Sequence, residues 1–345
     1  MKALSKTEVK KVIEGRGAAE RVPLMYDLWV YNNIFAGDQK LRDQWFENFP
    51  CDVQEVILNL PDAYQAPDDD PQYKWAPKEM KAKQNVGIDA QSVIEDWENE
   101  DEVEAFYANF PSPEYPNLVE KKEWDEDRYR VGRWCFWLFE RLWSLRGMED
   151  ALTDFYLYPD EIHRLFRHLT DFYKRVLERA VEEAQVDGFF ITDDIGTQKG
   201  PFFSLEIFRE FFKPYYKELI DKAHELGTHL WMHTCGNVEL YLPDLIEIGL
   251  DVIHPIQKYT MDEKHIAEMY GDKICILAGF DVQQTIPFGT PEDVRKEVHY
   301  LRKTFERPDG RFMLTMGNGS TTDWKLESLE ALYEASLDTM DCGKE

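Results

Sequence analysis

Five apolar segments in the second half of the chain each end in side chains that can bind a metal ion, transfer a proton or form hydrogen bonds. These polar ends contain, in chain order, Asp193, Asp194, Gln198, His233, Cys235, Asn237, His254, Gln257, Asp281 and Asn318. One polar residue after a strand is usually part of a turn, but five such ends in succession indicate a shared site. If the segments are parallel strands, their carboxyl ends meet at one edge and the polar side chains gather there.

His233 and Cys235 are two positions apart, so on a continuous strand both side chains lie on one face. An imidazole and a thiolate together suit Zn²⁺, which in catalytic sites takes three protein ligands and keeps one open position. The same pair also suits a site without metal, in which the thiol is buried and the imidazole is hydrogen-bonded. The spacing alone leaves both interpretations open.

The carboxylates and amides supply candidates for the other roles. Asp193 and Asp194 are adjacent, so on a strand they point to opposite sides, and one can face the site while the other caps a helix or pairs with a base. We predict that Asp194 and Asp281 are catalytic, although Asp281 is equally suited to be a metal ligand or a structural anchor. The candidates for substrate binding are the amide side chains of Gln198, Asn237, Gln257 and Asn318.

The elements that must position these residues are short apolar segments that alternate with amphipathic helices. The predicted strands are RVPLMYDLWVY (21–31), DVQEVILNL (52–60), RWCFWLF (133–139), DGFFITDD (187–194), THLWMHTCG (228–236), DVIHPIQ (251–257), ICILAGFD (274–281) and RFMLTMGNG (311–319). This alternation predicts an α/β protein with a parallel sheet, and eight strands favour a (β/α)8 TIM barrel. A doubly wound sheet is the alternative, but no glycine-rich phosphate turn follows any strand.

Residues 61–128 interrupt the alternation. They are rich in Pro, Asp and Trp, and apart from a helix-like segment at 92–110 they show little periodicity. A loop of this length within a compact domain is usually functional, and its aromatic residues need a surface to pack against. We therefore predict a single domain over residues 1–345, with an elaborated N-terminal region in which residues 61–128 form a lid over the site.

Composition and charge exclude several kinds of partner. The formal net charge of −27 opposes binding to nucleic acid and anionic membranes, and no apolar run is long enough to span a membrane. The five cysteines, at positions 51, 135, 235, 275 and 342, show no paired spacing, so free thiols in a reducing compartment are expected. The N-terminus shows no signal-peptide pattern. The sequence predicts a cytoplasmic protein that acts on a small-molecule substrate, and it leaves a homodimer open.

Several of these segments together resemble the uroporphyrinogen decarboxylase superfamily. They are Arg21–Pro23, Asp193–Gln198, Phe208–Lys217, His233–Asn237, Ala278–Asp281 and Gly289–Pro291, and the likeness is close from about residue 133 to 340. The resemblance implies a (β/α)8 barrel. It also implies one of two activities, tetrapyrrole decarboxylation or the zinc-dependent transfer of a methyl group to a corrinoid protein, as in O-demethylases.

The N-terminal motif departs from the pattern of the decarboxylases. Those enzymes carry an Arg-rich segment after this motif, which holds the carboxylates of the substrate. Here the matching residues 26–33 contain no arginine and include Asp27. A porphyrinogen with many carboxylates would be held poorly, so the resemblance favours the methyltransferase branch.

The metal site departs from the pattern of the methyltransferases. Their first two zinc ligands match His233 and Cys235, but their third ligand, a Cys after the last strand, has no counterpart within Thr315–Ser320. The resemblance therefore implies that Asp194 or Asp281 completes a changed zinc site, or that no metal binds.

The leading hypothesis is a methyltransferase that moves a methyl group from a small methylated substrate, such as a methoxy-aromatic compound, to a corrinoid on a separate protein. Zinc or a carboxylate would polarise the leaving oxygen. Aromatic residues of the 61–128 region, with Trp134, Phe136 and Trp137, would form an apolar pocket. One alternative is a decarboxylase of a tetrapyrrole or a smaller acid, working with an Asp and no metal. The other is a non-catalytic ligand-binding barrel.

Overall fold

Eight short parallel strands wind into a nearly closed barrel in the computed structural model, which describes residues 2–77 and 92–338. The strands are β1 (Leu24–Met25), β2 (Val53–Ile57), β3 (Tyr129–Trp134), β4 (Gly188–Thr192), β5 (His229–His233), β6 (Val252–His254), β7 (Cys275–Phe280) and β8 (Phe312–Met316). Each strand from β2 to β7 pairs in parallel with the next along the chain, and β8 pairs with β1. This cyclic order confirms the (β/α)8 barrel and excludes the doubly wound sheet.

Helices lie between most strands and cover the outside of the barrel. They are α1 (Lys6–Ile13), α2 (Gln39–Asn48), α3 (Glu100–Ala108), α4 (Phe139–Arg146), α5 (Met148–Leu157), α6 (Pro159–Ala184), α7 (Leu205–Ile207), α8 (Lys213–Glu225), α9 (Leu242–Glu247), α10 (Glu263–Tyr270), α11 (Thr285–Phe288), α12 (Pro291–Phe305) and α13 (Leu326–Leu337). Short 3-10 turns occur at Asn32–Phe35 and Glu239–Tyr241, and a π-helical turn at Phe208–Phe212 joins α7 to α8. The cysteine at position 342 lies outside the described residues.

A buried carboxylate joins the first and second strands of the barrel. Within the described residues no strand ladder connects β1 to β2. Instead, the amide of Asp52 donates to the carbonyl of Leu24 at 2.8 Å, and the amide of Leu24 donates to the Asp52 carboxylate at 2.8 Å. Both terminal nitrogens of Arg21 contact the same carboxylate at 2.6 Å. Asp52 is fully buried, so it closes the barrel through its side chain.

Two predicted strands differ in extent from the observed ones. The apolar run at 21–31 predicts a long first strand, but only Leu24 and Met25 pair with β8. Beyond them, the amides of Tyr26 and Asp27 donate to the sulfur of Cys51 at 3.3 Å, and the chain leaves the sheet. Hydrophobicity shows that these residues are buried but does not show which group takes their backbone hydrogen bonds.

The third strand lies earlier than the predicted 133–139. It ends at Trp134, and Phe136 adopts the left-handed backbone conformation with φ of 69°, which a strand cannot continue through. The amides of residues 138–140 then donate to the carboxylate of Asp193, and a helix begins at Phe139. The aromatic run therefore crosses from strand into helix.

The described parts of the 61–128 region pack against helices on one side of the barrel. Trp75 is fully buried and its ring contacts Phe172 of α6. The indole N–H of Trp97 donates to the carboxylate of Asp154 on α5 at 2.7 Å, and Arg179 of α6 donates to two backbone carbonyls of the region. These contacts make the region continuous with the barrel core. Residues 78–91 of the predicted lid lie outside the described residues.

Replacing Asp52 with alanine should lower the free energy of unfolding by about 3–5 kcal/mol, because it leaves the guanidinium of Arg21 buried without its partner. Urea unfolding of the purified protein measures this change. Lys217 and Asp221 form an exposed pair on α8, so Asp221→Ala is the control and should change stability by less than about 0.5 kcal/mol. Equal losses in the two variants would contradict the closing role of Asp52.

Candidate functional site

The carboxyl ends of β4 and β5 bring together three potential metal ligands. His233 ends β5, Cys235 follows it by two residues, and Asp194 follows the end of β4 by two residues. Nε2 of His233 lies 3.4 Å from Sγ of Cys235 and 3.7 Å from Oδ1 of Asp194. The three ligand atoms all lie within 4.8 Å of one another, and no other such group of three occurs in the described part of the chain. We call this group the ligand cluster.

The loops that follow β4 and β5 hold Asp194 and Cys235 against each other. The amide of Cys235 donates to Oδ1 of Asp194 at 2.7 Å. The next residue, Gly236, has φ of 85°, and a Cβ there would lie 2.4 Å from the backbone of Gly196. Only glycine satisfies both the left-handed conformation and this close approach, which explains the glycine in the HTCGN motif.

His254, the last residue of β6, fixes the tautomer of His233. Nε2 of His254 lies 2.9 Å from the carbonyl oxygen of Met316, and because a carbonyl only accepts, this nitrogen carries the proton. Nδ1 of His254 is then an acceptor, so the proton between it and Nδ1 of His233, 2.8 Å away, belongs to His233. The lone pair of His233 Nε2 is left facing the cluster. A neutral histidine in this form is a metal ligand.

Burial keeps the imidazoles neutral and the thiol protonated in the metal-free protein. It lowers the pKa of His233, and burial together with the neighbouring His233 lowers the pKa of His254 well below its usual value. Trp29 contributes to this burial, since its ring centroid lies 5.3 Å from each imidazole. Burial, reinforced by the charge of Asp194, raises the pKa of the Cys235 thiol. Metal binding must displace this proton because the thiolate is the ligand.

Asp193 points away from the cluster and anchors α4. Besides the amides at the start of that helix, its carboxylate accepts from the hydroxyl of Tyr216 at 2.5 Å. Burial raises the pKa of Asp193 to about 6 despite these donors. The adjacent aspartates thus face opposite ways, with Asp194 at the cluster and Asp193 at the N-terminus of α4.

Glu140 on α4 is a buried carboxylic acid beside the cluster. It accepts a hydrogen bond of 2.5 Å from the hydroxyl of Thr192. Burial, followed by the charges of Asp194 and Asp193, raises the pKa of Glu140 to about 8. Glu140 is therefore mostly protonated at neutral pH, while its charge when ionised contributes to the raised pKa of Cys235.

Four predicted site residues line one small cavity of about 50 Å³ next to the cluster. They are Cys235, Gln257, Asp281 and Asn318. The amide nitrogen of Asn318 lies 3.7 Å from the sulfur of Cys235, and the side-chain oxygen of Gln257 accepts from the amide of Gly236. The loops that follow β5 to β8 therefore place these four residues around one cavity, next to His233 and Asp194.

The other predicted roles fit the geometry less closely. The carboxylate of Asp281 accepts from the backbone amides of residues 283–285 and from the hydroxyls of Tyr259 and Thr285, which is the geometry of a structural anchor. Gln198 lies exposed in the turn after β4. The side chain of Asn237 is occupied by the carbonyl of Thr260 and the amide of Glu239. The structure does not bring Gln198 and Asn237 into the cavity.

The sequence analysis placed His254 among the polar strand ends without a specific role and gave no role to Glu140 or Trp29, although all three shape the site. His254 ends an apolar strand next to a proline, which was a usable signal. Glu140 lies on a helix and Trp29 lies in an apolar run, where both types of residue are ordinary. Their roles depend on contacts between distant parts of the chain.

A protein-family model described as Uroporphyrinogen decarboxylase (URO-D) matches residues 138–338. The chain belongs to the uroporphyrinogen decarboxylase family. The matched segment begins at the N-terminus of α4 and contains β4 to β8, and hence the whole ligand cluster. The family predicted from the sequence motifs is confirmed.

Two proteins that are similar to this chain carry methyltransferase names. A methylated-thiol–coenzyme M methyltransferase of Methanosarcina mazei is 28% identical over 136 residues, which are 39% of this chain and 34% of that protein. The alignment therefore spans about a third of the length of that relative. A solved methyltransferase structure from Methanosarcina mazei covers 97% of this chain and 98% of its own, with a TM-score of 0.66 and 15% identity. This second likeness shows the shared fold.

Among the described residues, no helix is both long enough and apolar enough to cross a bilayer.

His254→Leu should weaken Zn²⁺ binding by about 10–100-fold, because it removes the acceptor that orients His233 and fixes its tautomer. Competition titration against a zinc-sensitive dye measures the affinity. The control is His229→Leu, which changes a buried histidine at the start of β5, the end of that strand opposite to His233, and it should leave the affinity unchanged. Equal losses in both variants would show that general destabilisation, and not the tautomer, is responsible.

The free energy of unfolding of Glu140→Gln, relative to that of the wild type, should increase as the pH rises from about 5 to 8. The folded protein holds the pKa of Glu140 at about 8, against an ordinary value of 4.5. Between these values the unfolded chain has lost a proton that the folded chain keeps, so raising the pH favours unfolding of the wild type. The difference should level off above about pH 8. Urea unfolding of the metal-free proteins at several pH values tests this, and a difference independent of pH would contradict it.

Proposed function

We propose that the protein is a zinc-dependent methyltransferase that moves a methyl group from a small methylated substrate to a corrinoid held by a separate protein. The observation that carries the proposal is the ligand cluster of Asp194, His233 and Cys235, with its neutral imidazole already oriented. The methyltransferase relatives support it. Neither relative determines the substrate or the acceptor for this chain.

The donor set of the cluster suits zinc. One imidazole nitrogen, one thiolate and one carboxylate are all ordinary Zn²⁺ ligands, and three protein ligands leave the open position that a catalytic zinc needs. The geometry favours Asp194 over Asp281 as the third ligand, because the Asp281 carboxylate already accepts five hydrogen bonds. Asp194 thus takes the place of the missing cysteine.

When bound, zinc would act as a Lewis acid that stabilises the negative charge on the atom from which the methyl group departs. The side chains of the site would do the rest. His233, held by His254, would keep its lone pair directed at the metal position. Asn318, beside the sulfur of Cys235, would orient the substrate, and Glu140 would be available as a protonated acid beside the cluster.

The described surroundings of the cluster also support a small substrate and a cytoplasmic location. The cavity next to Cys235 is closed by Pro255, Gly279 and Phe280 on its apolar side. The four described cysteines are free thiols, as expected in a reducing compartment.

We further propose that the chain acts as one domain, in which residues 61–128 cover the site.

The decarboxylase alternative lacks a comparable supporting observation. The segment that would hold substrate carboxylates in the decarboxylases here places the indole of Trp29 against His233 and His254. It supplies no arginine.

Zinc content tests this proposal. Protein incubated with zinc and freed of excess should retain about one ion per chain, and Cys235→Ala should lose it. Cys135→Ala, which changes an exposed thiol outside the cluster, is the matched control. In the same preparations, transfer of methyl groups from a panel of methoxy-aromatic and methylthio compounds to free reduced cobalamin should require Cys235. Wild-type protein that retains no zinc would remove the basis of the proposal.

A further inference from the structure

A second cavity, of about 330 Å³, lies at the carboxyl ends of β2 and β3. Its walls come from the loop after β2 (residues 58–63), the end of β3 (residues 134–136) and two residues of α4, Arg141 and Ser144. Its size is within the range of small-molecule sites. The apolar part of its lining is formed by Leu58, Leu60, Pro61, Ala63, Trp134 and Phe136.

Arg141 is a buried cation that lines this cavity. Its exposure is 4%, and no carboxylate within the described residues forms an ion pair with it. Its Nε has no hydrogen-bond partner, and its guanidinium lies 4.8 Å from the ring of Trp75 and 5.1 Å from that of Phe136. Aromatic rings stabilise a cation but do not accept the in-plane N–H bonds of a guanidinium. Its neighbouring acceptors are the neutral hydroxyls of Ser144 and Tyr173, whereas a buried charge is normally paired with an opposite charge.

The other polar groups of the cavity have the same preference for an acceptor. The indole Nε1 of Trp134 is also buried without a partner. The hydroxyl of Ser144 already donates to the carbonyl of Arg141 and accepts from its Nη1 at 3.3 Å. The one acid in the lining, Asp62, uses Oδ1 to accept two backbone amides of its own turn. The unsatisfied groups are therefore donors, and a ligand that satisfies them must bring acceptors.

The cavity is connected to the ligand cluster through direct contacts. Phe136, which adopts the left-handed backbone conformation, donates its amide to the hydroxyl of Thr192 at 3.1 Å. That hydroxyl in turn donates to Glu140, the buried acid beside the cluster. Arg141 follows Glu140 directly on α4, so the same helix contributes to the cavity and to the surroundings of the cluster.

We propose that Arg141 binds the carboxylate of a small carboxylic acid whose apolar body fills this cavity. The planar guanidinium matches a carboxylate with two parallel hydrogen bonds, and the apolar lining suits an aromatic or branched body. The identification of this acid as the methyl-bearing substrate rests on the proposed function. The binding of the acid itself does not.

Benzoate binding to zinc-free protein, measured by isothermal titration calorimetry, tests the proposal. Wild-type protein should bind benzoate and should bind benzamide, its neutral counterpart, at least tenfold more weakly. Arg141→Gln should weaken benzoate binding at least tenfold and leave benzamide unchanged. Arg42→Gln, which removes an arginine that lines a different surface cavity, should change neither. No benzoate binding, or equal losses in both arginine variants, would overturn the proposal.

Two further arms address the folding of the variant and the source of the anion. Ser144→Asp places a carboxylate next to the guanidinium of Arg141. It should therefore raise the midpoint of thermal unfolding and abolish benzoate binding, even if Arg141→Gln fails to fold.

Inorganic phosphate should not compete with benzoate at equal concentration. Full competition would indicate a general anion site and overturn the carboxylate assignment. Since these measurements use neither zinc nor methyl transfer, their failure leaves the proposed function standing, and loss of zinc binding leaves this inference standing.

Discussion

The hydrogen bond between His254 and the carbonyl of Met316 determines the chemical character of the ligand cluster. The carbonyl accepts and cannot donate, so it places the proton of His254 on Nε2 and, through the second imidazole, places the proton of His233 on Nδ1. The two histidines come from neighbouring strands and the carbonyl from the end of β8. The free lone pair of His233 therefore depends on the barrel, which brings the ends of β5, β6 and β8 together.

A second constraint acts through Asp193, which ties the beginning of α4 to the end of β4. Its carboxylate accepts hydrogen bonds from the backbone amides at the N-terminus of α4 and from the hydroxyl of Tyr216 on α8. This anchor fixes where α4 begins and therefore where Glu140 and Arg141 lie. One residue further along the chain, Asp194 faces the opposite way and joins the cluster. Two adjacent carboxylates thus point to opposite sides, one into the scaffold at the start of α4 and the other into the ligand cluster.

The sequence was sufficient for the barrel, because regular alternation of apolar strands and amphipathic helices is a local pattern. It also placed His233, Cys235, Gln257 and Asn318 at one mouth, since all carboxyl ends of a parallel barrel face the same way. Asp194 and Asp281 could not be distinguished in this way, because only the folded loops show that Asp281 accepts from its own turn. The end of β3 was predicted at the wrong residue because Phe136 adopts the left-handed backbone conformation. The hydrophobicity of the sequence does not reveal this conformation. The roles of Glu140 and Arg141 arise from burial on a helix whose residues are unremarkable in the sequence.

We propose that His233, Cys235 and Asp194 bind one zinc ion. Zinc K-edge X-ray absorption of the zinc-loaded protein tests it most directly, because it counts the sulfur and light-atom neighbours of the metal. We predict one sulfur neighbour at about 2.3 Å and nitrogen or oxygen neighbours at about 2.0–2.2 Å, with the sulfur lost in Cys235→Ser. A first shell of oxygen and nitrogen alone in the wild type, or two sulfur neighbours, would contradict the claim.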